Sequence, residues 1–318
     1  MIDLNETARR LQDHLAVLTV DIGERSIFSP HKLAQTAEYI EGVYAQSGLA
    51  VEREEYRCGD FTTCNVVAFS KAPQSHLVTS GKKGADGALF GSGGKSGRST
   101  HSYLVGAHYD CVRGTVGADD NASAVAVQLE VARQFHALRQ RAEVPVSVKF
   151  VSFALEEYPA YGTDCMGSLV HAKGMKARRE SIDGMICLEM VGYSCLESGC
   201  QKYPPLLARF YPGQGDFIGV VGNTRSRKLV REIRESFAKN LHLPVQSLTV
   251  PLNGWVLPAV RRSDHVSFWS KGFKAVMITD TAFFRNPNYH LPSDRMETLD
   301  IEFMAQVVAS LLLFLLSG

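Results

Sequence analysis

Five places along the 318-residue chain carry side chains that bind metals or move protons: His108-Tyr109-Asp110, Asp119-Asp120-Asn121, Glu156-Glu157, Glu189 and Tyr289-His290. Imidazoles and carboxylates closing on one point suit a hard-to-borderline divalent ion such as zinc, and two ions held in common need a carboxylate that can bridge them. Acidic pairs alone prove little. With 33 acidic residues in the chain, about three adjacent pairs arise by chance. Three occur, Glu54-Glu55, Asp119-Asp120 and Glu156-Glu157. Glu54-Glu55 reads as a solvated strand edge. The other two pairs follow an apolar strand or precede a helix, where burial makes unpaired carboxylates costly.

Such groups act together only if the chain brings them to one end of a sheet. Helical spacing runs from Leu4 through Leu11, Leu15 and Leu18, and a second helix starts after Ser29-Pro30 and stops at Gly48. Ala50 to Tyr56 and Cys64 to Phe69 read as a hairpin around Gly59-Asp60. Beyond residue 100, strands and helices alternate. Strands are expected at Tyr103 to Ala107, Val146 to Ala154, Ile182 to Met190, Phe217 to Val221, Val245 to Val250 and Lys274 to Thr279. Helices are expected at Ala122 to Arg139, Gly167 to Lys173, Ser226 to Asn240 and, buried, Phe303 to Leu316. This pattern predicts a three-layer α/β/α sandwich with a central mixed, mostly parallel sheet, in one domain spanning residues 1 to 318. Ligands in such sheets bind beyond the carboxyl ends of the strands, where His108, Glu156, Glu157 and Glu189 fall.

Composition narrows the partners. Thirty-four Lys and Arg against 33 Asp and Glu leave a net charge of +1, which supplies no field to gather nucleic acid or an anionic membrane. The Phe303 to Leu316 stretch is shorter than the ~20 residues a membrane helix needs. Residues 71 to 100 form a Gly/Ser-rich stretch, expected to be a flexible loop. Within it Gly94-Lys95-Ser96 imitates a phosphate-binding loop, but Leu89 stands where that motif requires its first glycine and no helical pattern follows. The amino terminus lacks a secretory pattern, so the cytoplasm is the expected location. Seven cysteines without a CxxC motif are expected to be mostly buried or free thiols, although Cys58 with Cys64 and Cys195 with Cys200 are close enough in sequence to pair.

Here the motifs become specific. Gly106-Ala107-His108-Tyr109-Asp110, Gly117-Ala118-Asp119-Asp120-Asn121-Ala122-Ser123 and Phe153-Ala154-Leu155-Glu156-Glu157 resemble the signature segments of the two-zinc exopeptidases of peptidase clan MH. That group includes bacterial leucyl aminopeptidases and aminopeptidase Y, with glutamate carboxypeptidase and glutaminyl cyclase as relatives. Ser263-Asp264-His265-Val266-Ser267-Phe268-Trp269 and Asn286-Pro287-Asn288-Tyr289-His290 extend the match over about residues 30 to 315, apart from the Gly/Ser-rich loop. The resemblance implies two Zn2+ ions per chain, with Asp120 as the bridging ligand. It implies that His108 and Glu189 complete one site and Glu157 and His290 the other. Glu189 stands where many of these aminopeptidases have Asp. Glu156 is then the general base and Asp110 the partner that orients the His108 imidazole. The expected activity is removal of amino-terminal residues from peptides with a free amino terminus. A cis peptide after the bridging aspartate, Asp120-Asn121, is implied as well.

Other candidates carry less. Cys111 is close to His108, but a zinc-bound imidazole cannot activate a thiol, so a packed small residue is expected. Asp264 and His265 fall in a motif without being ligands, and either support of the site or simple packing fits them. Arg261-Arg262 reads as a surface pair or as a recogniser of a substrate carboxylate, which keeps a carboxypeptidase in view. Cyclases of this group typically carry Trp before the final His, where this chain has Tyr289. Phe283, Phe284, Tyr289 and Tyr193 are candidates for an apolar side-chain pocket, and Trp255 lies in a Pro251 to Arg262 loop able to cover a cleft.

Overall fold

A computed structural model describes residues 2–70, 101–142, 144–204 and 207–317. The Gly/Ser-rich stretch with its Gly94-Lys95-Ser96 motif lies outside them. The chain enters through α1 (Leu4–Ala16), which buries Leu11 and Leu15 and is capped by Asp3 accepting from Asn5 and Glu6 N–H. The expected single helix changes pitch here, because Val17–Ile22 continues it as a wider π-helical turn ending at Gly23. Helix α2 (Pro30–Gln46) starts with Pro in its first turn and lays Leu33, Ala37, Ile40 and Tyr44 on the sheet.

Strands β1 (Ala50–Cys58) and β2 (Phe61–Phe69) form the expected hairpin. There follow β3 (His101–His108), α3 (Ala124–Arg139), β4 (Val146–Phe153), α4 (Gly167–Ala177) and β5 (Gly184–Glu189). The chain continues through β6 (Ile218–Asn223), α5 (Arg227–Phe237), β7 (Val245–Val250), α6 (His265–Ser270), β8 (Ala275–Thr279) and α7 (Ile301–Leu316). The eight strands make one sheet in the order β1-β2-β4-β3-β5-β8-β6-β7. The pairs β3/β4, β3/β5, β5/β8 and β6/β7 are parallel, and β1/β2, β2/β4 and β6/β8 antiparallel.

The central strands are buried on both faces, so they read as near-continuous apolar runs. Alternation then divides them between two cores. Val105, Phe150, Ile186 and Ile278 face the layer of α1, α2, α3, α5 and α7, whereas Leu104, Val151, Met185 and Met277 face that of α4 and α6. This is the expected three-layer arrangement. No helix among the described residues is long and apolar enough to cross a membrane.

The cysteines depart from expectation. Cys195 and Cys200 are bonded, and Cys58 is bonded to Cys165, 107 residues away, rather than to Cys64. Hairpin geometry explains the choice: Cys58 sits at the open tip beside Phe61, while Cys64 lies opposite Glu55 and is buried in the core. Four of the seven thiols are thus paired, leaving Cys64, Cys111 and Cys187 free and buried.

Candidate active site

Strands β3, β4 and β5 run parallel or share neighbours in register, so their carboxyl ends deliver His108, Glu156-Glu157 and Glu189 to one rim. Asp120 reaches the same place from the turn preceding α3, and His290 from the segment between β8 and α7. The chain bends sharply beside these groups. Leu155, Met190 and His290 all have left-handed backbone, with φ of 59°, 46° and 59°, conformations that non-glycine residues adopt chiefly where surrounding contacts enforce them. The Asp120-Asn121 peptide is cis.

The two oxygens of Asp120 face different partners. Oδ1 lies 3.4 Å from His108 Nε2, which is itself 3.5 Å from Glu189 Oε2. Oδ2 lies 3.1 Å from His290 Nε2, which is 3.6 Å from Glu157 Oε1. Two three-residue groups capable of holding an ion therefore share one carboxylate, and Glu156 joins His108 and Glu157 in a third such group. Tetrahedral coordination with bonds of about 2.0–2.1 Å places ligand atoms about 3.3 Å apart. His108 Nε2, Asp120 Oδ1 and Glu157 Oε1 are buried with no hydrogen-bond partner among the described residues, as ligand atoms aimed at a cation would be. The residues present fit two divalent ions.

Electrostatics agree with this donor set. Burial pushes Glu157 up to about 8, with the charge of Asp120 adding to the effect. Burial likewise raises Glu189 and lifts Glu156 well above the usual carboxylate range. For His290, burial opposes the charge, but the carboxylates of Asp120 and Glu157 outweigh it and raise the imidazole to about 10. So many carboxylates in one small volume require positive charge to balance them.

Around these groups, the backbone is pinned from behind. Asp110 accepts the N–H groups of Glu156 and Glu157 on its two oxygens, both at 3.0 Å. The His108 Nδ1 pairs with the backbone carbonyl of Asp110 at 3.1 Å, with its carboxylate slightly farther at 3.4 Å. The orienting contact therefore comes mainly from the Asp110 main chain, while its side chain is engaged with the segment that follows β4. Asp294 accepts from Asp119 and Asp120 N–H at 2.8 and 3.1 Å. Asn121 ties this turn to β5 by donating to Leu188 O and accepting from Met190 N–H. Ser263 donates to Glu189 Oε2 at 2.5 Å. Sequence reasoning assigned no role to Asp294, Asn121 or Ser263, and only Asn121 and Ser263 stood within recognisable motifs.

The lesser candidates fall as follows. Cys111 is buried and its thiol is pushed up by that burial, the opposite of an activated nucleophile. His265 touches no ligand; it pairs with Val260 O, packs edge-on against Trp269 and is lowered by burial to about 4. Asp264 is fully buried, its oxygens have no hydrogen-bond partner among the described residues, and burial lifts it to about 7. A cavity of about 110 Å³ opens beside Glu189, walled by Phe217, Leu248, Met277, Phe283, Phe284 and Tyr289 among others. Tyr193 is not part of that wall. Arg262 is, whereas Arg261 is spent on Asn253 O and on the exposed ring of Trp255, 3.8 Å away.

Residues 92–315 match the Peptidase family M28. The chain belongs to peptidase family M28. A relative from Escherichia coli, the uncharacterized protein YfbL, is 36% identical over 309 residues, covering 94% of this chain and 84% of that protein. Aminopeptidase YwaD of Bacillus subtilis is 26% identical over 211 residues, 64% of this chain but only 38% of that protein. Among solved structures, Porphyromonas gingivalis glutaminyl cyclase superposes with a TM-score of 0.64 at 17% identity, over 98% of this chain and 97% of that one. That likeness concerns the fold. This M28 family member thus brings its candidate donor atoms together on one rim.

Proposed function

We propose that this chain is a zinc-dependent aminopeptidase that binds two ions and removes residues from the free amino terminus of peptides. The observation that carries the reading is Asp120, whose oxygens face the His108–Glu189 pair and the Glu157–His290 pair separately. Its single domain follows, since the proposed ligands span residues 108 to 290. Two ions so held would acidify a water and polarise the scissile carbonyl. Glu156 neighbours the proposed ligand Glu157 but belongs to neither of the two groups that share Asp120, which leaves its carboxylate free to take a proton from water and hand it to the departing amine. Asp110 and Asp294 hold the backbones of these groups in place. The apolar cavity beside Glu189 receives the side chain of the residue removed.

One observation favours a second reading. Arg262 lines the cavity and could pair with a substrate carboxylate, as a carboxypeptidase requires. Tyr289 in place of Trp, together with both ligand groups, speaks for hydrolysis over cyclisation. Metal analysis combined with a panel of free-amine, blocked-amine and amino-terminal glutamine peptides tests the proposal. About two zinc per chain and cleavage confined to free-amine peptides support it. Cleavage of blocked peptides from the carboxyl end, or cyclisation of glutamine, overturns it. The two disulfides belong to an oxidising compartment and speak against the expected cytoplasm.

A further inference from the structure

Arg25 is 1% exposed and carries its charge into the interior, and no carboxylate among the described residues pairs with it. Its guanidinium is closed by five backbone carbonyls instead. Nε donates to Tyr109 O at 3.0 Å, Nη1 reaches Leu18 O, Gly23 O and Val116 O at 2.9, 2.9 and 2.7 Å, and Nη2 donates to Gly117 O at 2.9 Å. Its own N–H donates to Cys111 Sγ at 3.1 Å. Burying an unpaired cation is expensive unless every donor is satisfied, so the position of these acceptors matters.

Three of them fall at the two ends of one loop. Tyr109 immediately follows His108, and Val116 and Gly117 come shortly before Asp120. One planar fork thereby fixes the span between the two segments that deliver the His108 imidazole and the Asp120 carboxylate. The loop has no slack: Gly117 has φ of +49°, and a Cβ there would lie 2.1 Å from Asp120 O and 2.5 Å from Cys111 Cβ. Leu18 O and Gly23 O anchor the same fork to the π-helical turn, so the amino-terminal segment acts as the fixed base.

We propose that Arg25 is a positioning residue for the metal centre, a buried fork that sets the separation of His108 and Asp120 through the carbonyls of Tyr109, Val116 and Gly117. The inference rests on the ligand reading given above. Lysine cannot replace it, because a compact ammonium with three donors cannot span acceptors that a rigid guanidinium reaches on two sides. Glu24 supplies an internal comparison. It grips the same loop at Gly114 N–H, at 3.0 Å, without touching either end.

The test uses Arg25→Lys, Glu24→Gln and His108→Ala in the full chain. Zinc and cobalt affinities are measured by chelator competition, the Co(II) visible bands are recorded, and the melting temperature is taken on metal-stripped protein. Arg25→Lys should bind metal about tenfold or more weakly and show displaced Co(II) bands, as expected when a group behind a ligand is removed. Glu24→Gln should match wild type in both. Unchanged affinity and bands in Arg25→Lys, whether or not it melts earlier, would overturn the proposal. Equal effects in Glu24→Gln would also overturn it, by assigning the role to the whole segment. Should Arg25→Lys fail to fold, Arg25→Gln, whose amide still reaches one loop end, is judged by the same criteria. If His108→Ala takes up as much metal as wild type, the ligand reading itself fails and the inference falls with it. Loss of metal in His108→Ala with none in Arg25→Lys removes only the inference.

Discussion

Asp110 and Asp294 perform the same act on opposite sides of the site: each spends its two carboxylate oxygens on two consecutive backbone N–H groups. Asp110 holds Glu156 and Glu157, and Asp294 holds Asp119 and Asp120. The backbones of the proposed base Glu156, of the two proposed ligands Glu157 and Asp120, and of Asp119 are thus fixed by acceptors rather than by packing alone. An asparagine can satisfy only one of the two N–H groups and turns an NH2 toward the other. Asp294→Asn should therefore lose about 1–3 kcal/mol of stability and bind metal more weakly. Urea unfolding and chelator competition measure the two effects, and wild-type values in both would show that the Asp294 clamp is dispensable.

Glu156→Gln separates chemistry from assembly. Among the described residues the Glu156 side-chain oxygens have no hydrogen-bond partner, and its backbone contact to Asp110 survives the change. Turnover on a chromogenic aminoacyl substrate should fall by a factor of about 10² to 10⁴, with zinc content unchanged. Wild-type-like kcat would remove Glu156 as the base.

Acid should destabilise the metal-free protein through His14. That ring is buried against Tyr39, with Nδ1 and the phenol oxygen 2.6 Å apart, and burial lowers it to about 4. Between that value and the ordinary 6.5 the unfolded chain binds the proton and the folded chain does not. Its contribution is complete above pH 6.5 and is lost as pH falls toward 4, on the order of 3 kcal/mol. His265, also lowered to about 4, loses stability over the same window. In chelator, the drop in urea midpoint between pH 7.5 and 4.5 should shrink in His14→Gln. An undiminished drop would place the acid sensitivity elsewhere.

Thiol counting checks the covalent connections. Denatured without reductant, the chain should present three reactive thiols, Cys64, Cys111 and Cys187, and all seven after reduction. Peptide mapping should recover Cys58 linked to Cys165. A Cys58–Cys64 link, or seven thiols at the outset, would contradict the pairing.

Much of this site was legible because parallel strands buried on both faces are apolar runs, and the polar residues ending them stand out. His108, Glu156, Glu157 and Glu189 are such endings. Position in the sequence could not reveal what lies behind them. Asp294 and Arg25 act on main-chain groups 174 and 84 residues away, and backbone N–H and carbonyl groups carry no sequence signature. The same holds for Cys58 and Cys165, which meet only after the hairpin and the segment before α4 are in place. The pitch change after Ala16 was hidden because Leu15 and Leu18 keep helical spacing across it, and the widening lies in backbone hydrogen bonds that side-chain types do not record.

The order in which the sheet is assembled has a consequence for when the protein can act. Strand β8 is the last to be synthesised yet lies between β5 and β6, and His290 follows it in sequence. A chain still leaving the ribosome can present His108, Asp120, Glu157 and Glu189 but has neither the strand that joins the two parts of the sheet nor the imidazole that completes the second group. On the proposed ligand set, both parts of the site are therefore completed in one late step, and a fragment ending before residue 275 lacks β8 and His290 together.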